Sequence, residues 1–424
     1  MISGHAKGQT IEMVVLNLSL DGRLGYNLYV MCFLLLYVYQ SVMSVAAKQR
    51  EDYYFIVHDA GESLMLQPVI DRFVKNDSVS FTILSLGEPS TSIFEDYAEA
   101  VTLSNYGIEI EIIDGYSRDQ LLSLADLGTL LKQIDAPRVV VEGMAYAMQA
   151  QIGIAIGRAY DSHTVGVYDS FALWDSDSVA SNDFVEQDAV QDVYVVAKEQ
   201  QREVSRIAVS SGVEDIQVSV TGNPTINTWE AASRDTERVK AVRETLYPNI
   251  TADTVAIVYA GGYGEEAYEA SLKAFCTTAT EAGEGFAFSF SPHPGYDPSY
   301  EEGLFASWGC ADRVIIVWDS LHMDTAHIVA ASNTSLSQCS TVGGQSLAIG
   351  VPHAYVSPEG SCVDVFTSAK LIPTTPTAHE LEETLMKDFA DENYSVPKYD
   401  ILRAGIPLDA THRIYSRLLE LIEI

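Results

Sequence analysis

The sequence predicts an α/β protein built from two doubly wound domains that face a central cleft, followed by a helical C-terminal tail. The chain has 424 residues, too many for one ordinary hydrophobic core. After residue 50, runs rich in Val and Ile alternate with helix-like segments, which is typical of parallel strands joined by helices. Near mid-chain, the strand pattern of Val218–Pro224 (VSVTGNP) stops at a Gly-Asn-Pro turn, because glycine adopts positive φ and proline cannot continue a sheet.

The turn separates a predicted N-terminal domain (51–224) from a predicted C-terminal domain (225–400). An apolar N-terminal segment (1–50) precedes them, and a C-terminal helix (401–424) follows. The N-terminal domain has predicted strands over 53–58, 80–86, 108–113, 138–142, 164–168, 192–196 and 216–221, with helices over 64–74, 118–134, 147–160 and 198–210. The C-terminal domain has predicted strands over 254–259, 286–290, 314–317, 335–339 and 353–356, with helices over 235–246, 265–282, 323–331, 343–349 and 378–389. Residues 402–424 form the helical tail.

The charge of the chain limits its partners. With 25 basic and 59 acidic residues, the net charge is −34, so nucleic acid is not an expected partner and anionic lipid is disfavoured. A phosphate site must then rely on backbone N–H groups, helix N-termini or a few placed side chains. The five cysteines are scattered and lack CxxC spacing, which argues against a disulfide framework and against a zinc site. We predict no metal and no cofactor.

The N-terminal run 26–47 is apolar and about as long as a membrane span. It has three interpretations: a signal anchor, a cleaved signal peptide with Ser44-Val45-Ala46 as the small-residue site, or upstream sequence outside the working protein, with Met43 as the start. Basic residues flank both ends, so the orientation of an anchor cannot be read from them. We expect a cytoplasmic or membrane-associated protein, or one in the secretory-pathway lumen if this segment is translated.

Several short motifs occur in an order that resembles the GT-B superfamily, which includes nucleotide-sugar glycosyltransferases and UDP-N-acetylglucosamine 2-epimerases. The resemblance covers roughly residues 53–390. VTGNP is similar to the seam between the two halves of such proteins, and VVVEGMAYAMQA is similar to an epimerase strand that delivers V-H-G-D before a helix. The remaining matches are VGVYDSFALW at 165–174, SPHP at 291–294 and SQCSTVGGQSLAIGVP at 337–352, which resemble the next epimerase strand, a His-Pro pair and the nucleotide-sugar loop.

The resemblance implies two Rossmann-like domains, with the acceptor on the N-terminal one and a nucleotide-sugar on the C-terminal one. The sequence departs from the epimerases in its basic residues. Its first loop reads His58-Asp59-Ala60-Gly61-Glu62 without Arg or Lys, residues 261–266 read GGYGEE in place of G-H-R-R-E-N, and Gln345 replaces a Glu. Because epimerisation needs acid–base groups and cations on the diphosphate, these losses favour sugar transfer over epimerisation.

The predicted donor site lies in the C-terminal domain, on three segments. Glycines after a strand let backbone N–H groups approach a phosphate, His293 could hydrogen-bond a phosphate or base, and hydroxyls before the helix at 343 could cap it or hold a phosphate. The alternatives are an ordinary βα turn with acidic residues, a turn histidine and a plain helix cap. The predicted binding residues are Gly261, Gly262, Gly264, His293, Ser340, Thr341, Gly343, Gly344 and Gln345.

The predicted catalytic residues are His58, Glu142 and Asp169, which end strands of the N-terminal domain. Asp169 stands where the epimerases have a catalytic Glu. One of the three could deprotonate an acceptor hydroxyl, whereas the two acids could instead be an exposed pair in a very acidic protein. We predict transfer of a sugar from a nucleotide-activated donor to a glycan or glycoconjugate acceptor, with a possible homodimer. The alternatives are a 2-epimerase-like enzyme and a degenerate, non-catalytic nucleotide-binding protein.

Overall fold

The computed structural model describes residues 50–109, 120–144, 146–173, 185, 190–213, 215–248, 250–251, 254–262, 266–293, 298–317, 324–358, 362–386 and 400–423. The apolar run 26–47 and Gly264 lie outside these residues. Within the described part of the chain, no helix is both long and apolar enough to cross a membrane.

The N-terminal domain is a seven-stranded parallel sheet with the strand order β3-β2-β1-β4-β5-β6-β7. Its strands are β1 (Arg50–Val57), β2 (Phe81–Ser85), β3 (Ala100–Thr102), β4 (Ala136–Gly143), β5 (His163–Val167), β6 (Asp192–Val195) and β7 (Gln217–Val220). Its helices are α1 (Ala60–Val74), α2 (Glu88–Ile93), α3 (Leu124–Gln133), α4 (Ala147–Tyr160) and α5 (Lys198–Ser210). The edge strand β3 was not predicted, and residues 108–109 of the strand predicted over 108–113 are not in a strand.

The C-terminal domain is a six-stranded parallel sheet with the order β10-β9-β8-β11-β12-β13. Helices α6 (Thr225–Arg234) and α7 (Thr236–Leu246) lead into it. Its strands are β8 (Val255–Ala260), β9 (Phe286–Ser291), β10 (Val314–Ile316), β11 (Thr334–Ser337), β12 (His353–Val356) and β13 (Thr374–Thr375). The later helices are α8 (Glu266–Glu281), α9 (Ser299–Trp308), α10 (Thr325–Ala330), α11 (Val342–Ala348), α12 (Val365–Ser368), α13 (Ala378–Thr384) and α14 (Ala410–Glu423).

The C-terminal helix packs on the N-terminal domain. Ile414 and Leu418 of α14 are fully buried in the core that covers one face of the first sheet. The hydroxyl of Tyr53 on β1 donates a hydrogen bond to the carbonyl of Leu418 at 2.6 Å. The chain therefore crosses between the domains twice, once at VTGNP and once before α14. The tail predicted over 402–424 is a 3-10 helix at Asp400–Ala404 followed by α14.

The expectation that the cysteines form no disulfide framework is wrong. Cys276 on α8 is bonded to Cys310 before β10, and Cys339 after β11 is bonded to Cys362 before α12. The partners are 34 and 23 residues apart in sequence. The intervening βα units bring them together, so the spacing of the cysteines alone could not indicate the pairing.

Candidate active site

The loop after β1 is held by its own helix cap. The Asp59 carboxylate accepts from the Glu62 backbone N–H at 3.0 Å, and Glu62 Oε1 accepts in return from the backbone N–H groups of Asp59 and His58. This reciprocal pair is a capping box at the start of α1. It fixes His58 at the carboxyl edge of the sheet, where ligands of doubly wound folds bind.

Glu62 is a buried acid that is not among the predicted site residues. It is 1% exposed, and its Oε1 also accepts from Gln149 Nε2 at 2.7 Å. A Cβ atom on Gly143 would overlap its carboxyl group. Burial raises the pKa of Glu62 well above its ordinary value, and Asp59 and Asp169 raise it further. The D-x-x-E spacing at the start of a helix was the signal that could have identified it.

The His58 ring is half-buried and stacks on Tyr146, with ring centroids 3.9 Å apart and planes 13° from parallel. Burial lowers the pKa of His58 below its ordinary value, and the opposing effect of Asp59 is smaller. The imidazole is therefore neutral at neutral pH and able to accept a proton.

Asp169 lies beside this loop, as predicted from its place after β5. Its Oδ2 atom is 3.0 Å from the position that a Cβ atom on Gly61 would take. The backbone carbonyl of Asp169 accepts from Asn223 Nδ2 at 2.8 Å. Asp59, Glu62 and Asp169 thus form an acidic group around the first turn of α1, next to His58.

Glu142 does not face the cleft, so its prediction as a cleft acid is wrong. Along β4, Val139 and Val141 face the core beneath α1 and α14, whereas Val140 faces the core beneath α3 and α4. Glu142 shares the second face, because side chains alternate along a strand. It is 0% exposed, and a Cβ atom on Gly153 of α4 would overlap its carboxyl group. Among the described residues, neither of its carboxyl oxygens has a hydrogen-bond partner, and burial raises its pKa well above the ordinary value.

The opposite wall comes from the ends of β8 and β9. The Gly261 N–H donates to Ser291 O at 2.7 Å, and a Cβ atom on Gly261 would lie 2.9 Å from His293 N. Glycine is therefore needed here for the close approach of two backbones, and Gly262 follows it against Tyr268. Burial lowers the pKa of His293, and Asp59 opposes that shift. The acidic loop of one domain and the histidine of the other are thus close enough to interact across the cleft.

The segment before α11 differs from the predicted phosphate cradle. Cβ atoms on Gly343 and Gly344 would overlap the rings of Tyr355 and Phe366, so these glycines are explained by packing. The Ser340 carbonyl accepts from Gly343 N at 3.0 Å, and the Thr341 side chain makes no cap hydrogen bond to the helix.

Gln345 is directed toward the seam between the domains. Its Nε2 donates to Thr225 Oγ1 at 2.8 Å, which ties the predicted donor segment to the residue that follows VTGNP. The candidate residues include two histidines and no Lys or Arg. Within the described residues, no group of three or more His, Cys, Asp and Glu side chains is arranged to hold a metal ion.

No protein-family model and no curated protein matches this sequence. The structure is similar to that of UDP-GlcNAc 2-epimerase from Neisseria meningitidis bound to UDP-GlcNAc, with 12% identity, 88% of this chain and 100% of that chain covered, and a TM-score of 0.64. It is also similar to the S. aureus MnaA–UDP structure (14% identity, 88% and 98% covered, TM-score 0.62). The wall teichoic acid polymerase TagF matches with 11% identity, 94% and 95% covered, and a TM-score of 0.53.

These identities are low enough that the likeness describes the fold alone. The matches cover 88 to 94% of this chain and 95 to 100% of the neighbours named, and they include both parallel sheets. The chain therefore has the GT-B-like fold, with two Rossmann-like domains.

Proposed function

We propose that this protein is a GT-B-type glycosyltransferase that moves a sugar from a nucleotide-activated donor to a hydroxyl group of a glycan or glycoconjugate. The observation that carries the proposal is the half-buried His58 ring, stacked on Tyr146 and held beside Asp59 by the capping box of α1; burial lowers its pKa, and Asp59 also acts on the pKa of His293 in the other domain. A neutral imidazole next to a carboxylate is suited to act as a general base on a hydroxyl group.

In the proposed reaction, the N-terminal domain activates the acceptor and the C-terminal domain binds the nucleotide of the donor. The acceptor hydroxyl oxygen forms a bond to the anomeric carbon of the donor, and its proton passes to the His58 imidazole. The bond from the anomeric carbon to the nucleotide phosphate breaks, and the nucleotide leaves with that electron pair. The Asp59 carboxylate stabilises the imidazolium ion that forms. His293 and the Ser340–Gln345 segment bind the nucleotide.

A sugar-nucleotide 2-epimerase is the second candidate. It is supported by the structural neighbours that are themselves named as UDP-GlcNAc 2-epimerases and by Asp169, which resembles the family's catalytic acid in position. The scarcity of basic side chains among the candidate residues argues against it, because elimination of the nucleotide develops negative charge on the diphosphate.

A donor screen tests both candidates. Thermal shifts would be measured with UDP, CMP, GDP and their sugars, and NMR would identify the product of each donor that binds. Release of free nucleotide together with a new glycoside supports transfer, whereas conversion of UDP-N-acetylglucosamine to its manno epimer supports epimerisation. If nothing in the screen binds, both enzyme proposals fail and a non-catalytic protein is left.

Single substitutions then test the assigned roles. We expect His58→Asn to lower kcat by about 100-fold or more, the usual contribution of a general base, while donor affinity stays within about threefold. We expect His293→Ala to abolish donor binding without unfolding the protein. The matched control is His379→Ala, because His379 is exposed on α13. Transfer by His58→Asn at the wild-type rate would remove His58 from the mechanism.

The two disulfides indicate the kind of cellular compartment in which the protein works. Disulfides persist mainly in oxidising compartments, and the described domain carries two. We propose that the domain works in the secretory-pathway lumen, with run 26–47 as signal anchor or signal peptide. Protease protection of the full-length protein in sealed microsomes tests this, and full digestion of the domain in intact microsomes would contradict it.

A further inference from the structure

A continuous chain of hydrogen bonds runs from the predicted donor segment through the seam between the domains to the backbone carbonyl of Asp169. Asp169 belongs to the acidic group with Asp59 and Glu62, which we call the acidic wall. Gln345 Nε2 donates to Thr225 Oγ1 at 2.8 Å, Thr225 Oγ1 donates to Asn223 Oδ1 at 2.7 Å, and Asn223 Nδ2 donates to Asp169 O at 2.8 Å. Three of the four residues in this chain of bonds are buried. Asn223 is 2% exposed, and Thr225 and Gln345 are each 7% exposed. We refer to these four residues as the seam relay.

The chemistry of the groups gives the relay one direction. Asn223 Oδ1 also accepts from the Thr225 backbone N–H at 2.9 Å, so the oxygen of this amide faces Thr225 and its NH₂ faces Asp169. The Thr225 hydroxyl has one proton, which goes to Asn223, and it must therefore accept from Gln345. A network in which each buried polar group has one fitting partner is rigid and specific.

The seam is also locked from its other side. Gly222 has a φ of +84°, and a Cβ atom on it would overlap the Pro407 carbonyl. Asn227 Nδ2 donates to Leu408 O at 2.9 Å. The second crossing thus contacts Gly222 and Asn227, which flank the relay residues Asn223 and Thr225. The relay ties the position of Asp169 to the C-terminal domain as well as to its own strand.

We propose that Asn223 and Thr225 are positioning residues that set Asp169 and the acidic wall against a donor bound at Gln345. This inference rests on the proposed function, because it assumes that donor and acceptor meet in this cleft. It assigns VTGNP a role in turnover beyond that of a linker. Loss of the Asn223 NH₂ group should misplace the acidic wall and slow the reaction without weakening the donor site.

Three variants test the relay in the full-length protein. Asn223→Asp keeps an oxygen toward Thr225 but loses the donor to Asp169. Thr225→Val removes the hydroxyl group at nearly constant shape, and Thr225→Ser restores it. With the best donor from the screen, we expect Asn223→Asp to lower kcat by about 10- to 100-fold, because a misplacement of about 1 Å in the site can cost about 100-fold in rate, with donor KM within about threefold.

The valine and serine variants separate positioning from general stability. We expect Thr225→Val to lower kcat by about tenfold through a smaller misplacement of the site and Thr225→Ser to recover it to within about threefold, although serine leaves a methyl-sized gap. A structural role alone would lower the Tm of both variants and leave the kcat of the folded protein unchanged. This pair stands if Asn223→Asp does not fold.

The outcomes distinguish the two proposals. A wild-type protein that neither binds nor turns over any nucleotide or nucleotide-sugar overturns the proposed function, and the role of the relay with it. An active wild-type protein whose Thr225→Val and Asn223→Asp variants keep the wild-type kcat overturns the relay alone.

Discussion

The Glu142→Gln variant should gain stability in its N-terminal domain, relative to wild type, as the pH rises. Glu142 is fully buried beneath α4, and no described residue gives its carboxyl group a hydrogen bond. Burial raises its pKa well above 4.5, so the folded protein keeps a proton that the unfolded chain releases. A raised carboxyl pKa leaves stability intact below the unfolded-state value and reduces it as pH rises above that value.

The size of the effect follows from proton linkage. While the folded state holds one extra proton, the free energy of unfolding falls by about 1.4 kcal/mol per pH unit. Between pH 5 and pH 7 this amounts to at most about 2.5 kcal/mol, the limit for a folded carboxyl that keeps its proton across the whole interval while the unfolded carboxyl is mostly ionised. Gln does not titrate, so the stability of Glu142→Gln minus that of wild type should grow with pH, by up to this amount.

The assay is urea unfolding at pH 5 and pH 7, followed by pulsed hydrogen exchange in peptides that cover β1 and β4. These peptides report the N-terminal domain rather than the whole chain. Val140→Ala is the matched control, since Val140 is fully buried on the same face of β4 and its loss should cost the same at both pH values. A Glu142→Gln difference that does not change with pH would show that the folded carboxyl is ionised, and the reasoning from its burial would fail.

Three further predictions test other parts of the fold. Leu418→Ala should lower the free energy of unfolding by about 3 kcal/mol, typical of a buried leucine. The loss should appear as faster amide hydrogen exchange in β1, although Tyr53 and Leu418 are 365 residues apart. Unchanged protection of β1 would contradict the docking of α14. Replacing Cys339 and Cys362 together by Ser should cost about 3 kcal/mol, from the entropy of a loop of this length, and should lower the urea midpoint, whereas reductant should lower the wild-type midpoint further because it also breaks Cys276–Cys310; an unchanged midpoint in the double variant would show that the bridge adds no stability. His353 lies between Ser335 and Ser337, and burial lowers its pKa to about 3. Because the unfolded state then binds the extra proton, the free energy of unfolding of wild type should fall by about 2 kcal/mol between pH 6.5 and pH 5 relative to that of His353→Gln. Parallel stability curves of the two proteins against pH would refute this.

Local patterns predicted much of the fold. The helix over Ala147–Tyr160 and the strand over His353–Val356 have the predicted bounds, and β8 differs by one residue at each end. Such segments are specified by periodicity and by Val and Ile content, which are properties of neighbouring residues. The three residues of β3 carry no such signal, and they form a strand because β2 offers them an unpaired edge.

The candidate site was predicted in part. Strand ends correctly brought the His58 loop and Asp169 to one edge, because the carboxyl ends of parallel strands lie together. The same argument failed for Glu142, since the end of a strand does not tell which face of the sheet its last side chains enter. Glu62 was missed because an acid in a helix cap is usually exposed, and here α1 begins beneath the cleft.

The sequence by itself determined most strands and helices of the two parallel sheets and the net charge of −34, because periodicity depends on residues close together in the chain and charge on composition alone. Only the tertiary structure decided the cysteine pairs, the return of α14 to the first domain and the bond from Gln345 to Thr225. These contacts join residues from 23 to 365 positions apart. They exist because two sheets and two crossings bring those positions together, and no local pattern records where a crossing ends.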